Sequence, residues 1–176
     1  MSMTVIEHIE VGSGGAASIT FSAIAADWTD LVILFSGRGA SGSDFEIKFN
    51  GSSLNSSDRR LYGSGSGAFS SSDVSSPDAI FIGDISDLND TANTFANSQI
   101  YIPNYAAAQA KSVSIDTVSE HNGTQAFQHI IAGLWNDTAA ITSVKIQGRS
   151  GSNLDQYSSA TLFGITAGSD GTTTVS

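Results

Sequence analysis

The chain has no cysteine, two prolines and only seven Lys and Arg among 176 residues, and each shortage removes a class of function. Without thiols there is no disulfide framework, thiolate metal site, iron–sulfur cluster or cysteine nucleophile. The few cations stand against 17 Asp and Glu, giving a formal net charge of −10 and a pI near 4.3. That balance opposes binding to nucleic acid or an anionic membrane, where cationic side chains must replace counterions. No apolar run approaches the roughly eighteen residues that a membrane-spanning helix needs. The first residues, MSMTVIEHIEV, are acidic where a secretory leader is basic, and they contain no continuous apolar segment, so no secretion signal is expected there.

What is present is a chain with 40% hydrophobic residues, only 14% charged residues and 18 glycines, in which Ser, Thr and Asn do the solubilising. This composition suits many short strands joined by tight turns, because Gly and Asn tolerate positive φ and hydroxyls satisfy turn backbone locally. Phe45, Ile47 and Phe49 alternate with Asp44, Glu46, Lys48 and Asn50, the period of a half-buried strand, and Asn50-Gly51 marks a turn. Val113 and Ile115 alternate with Ser112, Ser114 and Asp116, and residues 120–124 turn the chain into a second strand over Ala126–Trp135. Continuous apolar runs at Leu31–Phe35, Ala79–Ile82, Ile130–Trp135 and Ala160–Ile165 read as strands covered on both faces. Weaker strand signals lie at Thr4–Val11, Ser18–Ile24, Gln99–Ile102 and Thr142–Gly148. About ten strands in one domain predict an all-β antiparallel sandwich of two packed sheets, spanning residues 1–167.

Two stretches stand outside that pattern. Residues 52–78 crowd Ser and Gly around Arg59, Arg60, Leu61, Tyr62 and Phe69, and read as a long loop whose few large side chains dock on something. Residues 168–176 read as a polar tail.

No motif assembles an active site. Gly37-Arg38-Gly39-Ala40-Ser41-Gly42 matches a dinucleotide-binding fingerprint, but the residues after it read as a strand, so the helix N-terminus that would hold a pyrophosphate is missing and no cofactor is expected. Three histidines, His8, His121 and His129, sit among abundant serines with no nucleophile elbow, and read as surface or hydrogen-bonded side chains. Asp84, Asp87 and Asp90 recur at three-residue spacing, which offers hard oxygen ligands for Ca²⁺ but lacks the EF-hand glycine and terminal glutamate; a solvated acidic loop is the better reading. The Asn-x-Ser/Thr triplets at Asn50, Asn55, Asn89, Asn122 and Asn136 are what a chain of this composition produces by chance. Arg59 and Arg60, half of the four arginines, are candidates for pairing with carboxylates of a neighbouring subunit. Trp28, Tyr101 and Tyr105 are candidates for stacking on a sugar ring, with packing at the ends of the sandwich as the commoner role for such rings.

Taken as a set and in order, several segments resemble a group of tailed-bacteriophage virion proteins: Ile19–Ile24 with Trp28–Ile33, Phe45–Gly51, Ile100–Tyr105, Lys111–Ser114, Ala132–Trp135 and Gln156–Ile165. In that group the last segment reads Ala-Thr-Leu-Tyr-Gly-Ile, and here Phe163 takes the aromatic place. The resemblance implies a jelly-roll β domain without catalytic residues. It also implies a structural role, as a decoration (cement) protein on the outer capsid surface or as a tail or fibre component. The expected partners are the major capsid protein or other virion proteins, and further copies in a homo-oligomer. Residues 52–78 and the N-terminal segment are the expected contacts. The alternative is a receptor-binding module that takes a host glycan through Trp28, Tyr101 and Tyr105.

Overall fold

The computed structural model describes residues 2–51, 56–73, 78–123 and 126–167. Among these residues there are twelve strands and no helix: β1 (Ser2–Glu10), β2 (Ser18–Phe21), β3 (Asp30–Gly37), β4 (Asp44–Phe49), β5 (Ser56–Gly63), β6 (Ala68–Asp73), β7 (Ile80–Asp84), β8 (Ala96–Ile102), β9 (Lys111–Ser119), β10 (Phe127–Trp135), β11 (Val144–Gly148) and β12 (Ser159–Thr166). They pair antiparallel in two packed sheets, a wide one ordered β1-β12-β3-β8-β9-β10-β5-β6 and a narrow one ordered β2-β11-β4-β7. The protein is an antiparallel β-sandwich.

Most successive strands alternate between the sheets; the exceptions all lie in the wide sheet, the hairpin β5–β6 and the run β8–β9–β10, which ends in the hairpin β9–β10. The hairpins join each other along β10 and β5, from Gln128↔Gly63 to Trp135↔Ser56, and so extend a four-stranded layer to eight strands. We call β9-β10-β5-β6 the wing. Its inner face crosses β7, the outermost strand of the narrow sheet.

The core fills from both inner faces, with Phe21, Phe45, Phe49, Ile47 and Ile146 on the narrow sheet and Ile33, Phe35, Ile100, Ile115 and Leu162 on the wide one, all buried. Phe49 packs on Trp135 of the wing with ring centroids 5.5 Å apart. Alternation drives this assembly, since β9 and β10 bury every second residue and turn the intervening ones outward.

All ten strands expected from the sequence are present, and the 111–135 hairpin forms with Ile131 opposite Ile115. Three features differ from expectation. Residues 56–73 are not a loop but the hairpin β5–β6, closed by a four-residue turn in which the Ser64 N–H donates to the Gly67 carbonyl at 3.1 Å and Gly65 takes φ +77°. Ile130–Trp135 is a strand covered on one face only, because the narrow sheet ends beneath the wing and, among the described residues, nothing lies over its outside. Glu46 is buried although it falls on the polar phase of β4; Gln147 Nε2 donates to it at 2.8 Å, with Lys48 at 3.5 Å and Arg149 at 3.8 Å. The predicted tail, 168–176, lies outside the described residues, as do 52–55 and 74–77 of the predicted loop.

Gly164 on β12 is packed against the Trp28 indole, where an added methyl would overlap the ring. Gly164→Ala is therefore expected to cost about 2 kcal/mol through overpacking. Gly63→Ala, whose new methyl would meet only the Gly67 carbonyl at 4.0 Å, should cost less than half of that. Urea unfolding of the two variants checks the difference.

Candidate functional site

The wing brings together the residues that the sequence singled out between 52 and 78, and distributes them over two faces. Arg59 and Arg60, adjacent in sequence, point to opposite sides of β5. Arg60 lies on the inner side: its Nε donates to Asp58 Oδ1 at 2.9 Å and its guanidinium stacks 3.9 Å above the Phe81 ring. Asp58 is only 2% exposed, and its Oδ2 accepts the Phe81 N–H at 3.2 Å. Arg60 is thus half of an internal ion pair, not the inter-subunit cation expected of it. Arg59 is exposed on the outer side, opposite Ala132 and Ser72.

Tyr62 and Phe69 extend the inner face past the edge of the narrow sheet. They are cross-strand partners in one row with His129, and the three rings stack: Phe69 on Tyr62 and Tyr62 on His129, each at 5.2 Å. Phe127 closes on His129 at 5.8 Å. The ladder runs from the buried His129 outward to Phe69, which is 46% exposed because no strand covers that end.

On the outer face Leu61 is 61% exposed and Ile130 beside it 56%, with Val118 and Leu134 also exposed on β9 and β10. Leu61, Ile130 and Ala132 with Arg59 and the serines 70–72 line an open groove of about 550 Å³. An apolar patch framed by serines, with the charges of Arg59 and Asp116 beside it, is one form that a protein-binding surface takes. The sequence missed it because Leu61 lay in a supposed loop and Ile130 in a run taken as buried; the wing's position outside the narrow sheet is visible only in the topology.

The aromatic residues proposed for sugar stacking are used internally. Tyr105 is buried and its hydroxyl donates to the Ala25 carbonyl. Tyr101, half-buried, donates to Asp30 Oδ2 at 2.8 Å, a bond that raises its phenol pKa, and Trp28 packs against Gly164. The six-residue glycine pattern at 37–42 links β3 to β4 with no helix after it. Its Arg38 is buried and binds the acidic loop from behind, donating to the carbonyls of Asp87, Thr91 (3.1 Å) and Thr94 (3.0 Å). Within that loop Asp90 Oδ2 accepts the Asp87 N–H and Asp87 Oδ1 the Asn89 N–H, both at 2.8 Å. These carboxylates hold their own turn, and among the described residues no three His, Asp or Glu side chains converge to hold a metal.

One polar cluster has the elements of catalysis in the wrong order. Ser43 Oγ donates to Asp84 Oδ1 at 3.3 Å, and His129 Nε2 lies 2.8 Å from Asp84 Oδ2, close enough for an ion pair but not an in-line hydrogen bond. The carboxylate thus stands between serine and imidazole, whereas base-activated attack needs the imidazole between serine and carboxylate. His121 pairs with Asp90 at 3.2 Å, and on both histidines Nδ1 is buried without a partner. His8, at the exposed β1 edge, shares a 2.7 Å hydrogen bond with Thr161 Oγ1. Burial opposes a charge on Asp84, but the His129 imidazole beside it and hydrogen bonds from Asp44 and Ser43 outweigh it and hold its carboxyl below the ordinary value. Asp44, its cross-strand neighbour, is held above: the residue is exposed overall, but its carboxyl is partly desolvated and faces the Asp84 charge. Lys111 is buried at the start of β9, and burial lowers its pKa; its ammonium is clamped by the carbonyls of Ala107 and Ala139.

No protein-family model matches the chain, and a search of curated proteins returns no significant match.

Two outcomes follow for stability. Asp58→Ala leaves Arg60 and the Phe81 N–H without their acceptor and is expected to cost about 3 kcal/mol in urea unfolding. Asp44 takes its proton more readily folded than unfolded, so what it contributes to stability is present below its ordinary value of 3.8 and is lost as pH rises through its raised folded value. Asp44→Asn mimics the protonated form, so the variant should melt higher than the parent at pH 7, with the gain vanishing below pH 3.8. Calorimetry across that range checks the sign.

Proposed function

We propose that the chain is a non-enzymatic structural subunit of a tailed-phage virion, a decoration protein seated on the outer capsid and binding across neighbouring shell subunits. Opening of the shell then has to break the decoration contacts as well. The observation that carries this is the wing's outer face, where Leu61, Ile130, Val118 and Leu134 stand exposed on a rigid sheet. Rigid strands present such a patch with little ordering cost on binding.

Two further points support the reading. Leaving out the two wing hairpins, the strands interleave as β1-β12-β3-β8 against β2-β11-β4-β7, an order that supports the jelly-roll reading, an architecture used by viral capsid and lectin domains. The segments that resemble phage virion proteins lie mostly on these interleaved strands and their connections. Architecture alone does not fix function, and the docking surface is what makes the reading testable.

The test is co-sedimentation with phage heads that lack the protein. The parent chain should saturate defined sites and raise the temperature at which heads rupture. Leu61→Asp with Ile130→Asp should weaken binding about 100-fold while leaving the fold intact, because paired apolar anchors at an interface centre carry most of its affinity. Unchanged binding by the double variant, or attachment to tails alone, would refute the assignment.

A further inference from the structure

The two sheets end in four strand edges, and three of them are guarded. β1 carries a bulge, where Val5 and Glu7 face consecutive residues of β12, and it bears Glu7, His8 and Glu10. β2 is only four residues long. β7 has a register shift opposite β4, Gly83 at φ +117°, and its Phe81 N–H taken by Asp58. Bulges, charges, short length and capped donors are the devices by which sheet proteins avoid edge-to-edge pairing.

Among the described residues β6 has none of these between Ala68 and Ser72, its one charge being Asp73 at the strand's end. It pairs with β5 without a bulge from Gly63↔Ala68 to Asp58↔Asp73, and from Ala68 to Ser72 it bears no charge and no proline. The turn bond from the Ser64 N–H to the Gly67 carbonyl fixes which residues face inward. Bonded pairs recur at every second position, so Tyr62/Phe69 and Arg60/Ser71 are bonded, and Ala68, Ser70 and Ser72 aim their N–H and C=O groups outward. Three consecutive outward positions on a straight strand form a template for another strand.

We infer that β6 pairs antiparallel with β6 of a second copy across a two-fold axis at Ser70, joining two wide sheets into one of sixteen strands. In that register Ser70 meets the partner's Ser70 and Ala68 meets the partner's Ser72, so every outward group from Ala68 to Ser72 is bonded. Phe69 packs over the partner's Ser71, covering the exposed end of the aromatic ladder. A second copy fits because the edge is self-complementary, small side chain against small. In a chain of net charge −10, a strand uncharged from Ala68 to Ser72, with its one carboxylate, Asp73, at the far end from the turn, is also where two copies meet with little repulsion. The inference goes beyond the capsid reading, since it uses the wing's edge and not its outer face, and it is tested without any phage particle.

The absence of native cysteine makes the experiment direct. The full chain should sediment at twice 18.2 kDa, and Ser70→Cys should be captured as a covalent dimer by a short bis-maleimide, whereas Thr4→Cys on β1 should not. Ser70→Pro removes an outward N–H without breaking the hairpin's own ladder and should weaken dimerisation tenfold or more with unchanged circular dichroism. If that variant fails to fold, Ser70→Lys tests the same edge from the side chain. A chain that stays monomeric, a dimer that survives both substitutions, or equal capture at Thr4→Cys overturns the inference. Loss of capsid binding by the Leu61 and Ile130 variants with the dimer intact would separate the two surfaces.

Discussion

The buried carboxylate of Asp58 resolves a mismatch of area on which the rest of the molecule depends. Eight strands in one layer face four in the other, so the sandwich can cover the wide sheet only in part. Where cover ends, β5 is held down not by more apolar contact but by one acid that reaches across to the edge of β7, binding the Phe81 N–H with one oxygen and Arg60 with the other. Arg60 then lies flat on the Phe81 ring. A buried pair of this kind adds little net stability over an apolar replacement, but it is costly to break and accepts one geometry only. It therefore fixes the angle at which the wing leaves the core, and with it the orientation of Leu61 and Ile130 on the other side of the same strands.

A second polar seam lies inward of that anchor. Thr117 on β9 donates to the Ile82 carbonyl of β7 and accepts from Ser98 Oγ of β8 at 2.8 Å, and Gly83 lets the two strands approach, since a side chain there would meet Thr117. His129 and Asp84 continue the seam toward Tyr62. Apolar contact alone would let β7 slide along the wing, whereas a row of directional contacts specifies the register. The same directionality explains why the cluster looks catalytic in composition yet is arranged as a fastener, with Asp84 serving both of its neighbours.

Most of the strand framework was legible because its strands bury one face, and burial imprints period two on the sequence. The β5–β6 hairpin was not, for a physical reason: its inner face is covered by an ion pair and a ring stack, and its outer face is open. Ser56–Gly63 accordingly places Asp58, Arg60 and Tyr62 where an apolar run would have signalled a strand. β6 is three-sixths serine, with Phe69 its only large residue. The pairing of Arg59 with Arg60 misled for a related reason, since neighbours on a strand face opposite ways. Trp28, Tyr101 and Tyr105 were recognisable as closing residues of a sandwich, but which hydroxyl bonds which carbonyl depends on loops that no periodicity encodes.

Scarcity of charge has a structural meaning in this architecture. A layer that carries alternating Lys and Glu on its outside resists lateral association at every edge and face. Here, among the described residues, Ser, Ala, Leu and Ile predominate on the outer wing, with one exposed cation, Arg59, and one exposed carboxylate, Asp116, which stands opposite Ile130. On the proposed reading, a subunit built in this way would need no large hydrophobic interface. Modest contacts repeated by symmetry reinforce one another, because each one formed raises the effective concentration of the next. The charge-poor face and the serine-rich edge lie on the same two hairpins, the elements added to an otherwise interleaved sandwich. The core strands thus supply the stability, and the added hairpins present a surface on which apolar and hydroxyl side chains outnumber the two charges, Arg59 and Asp116.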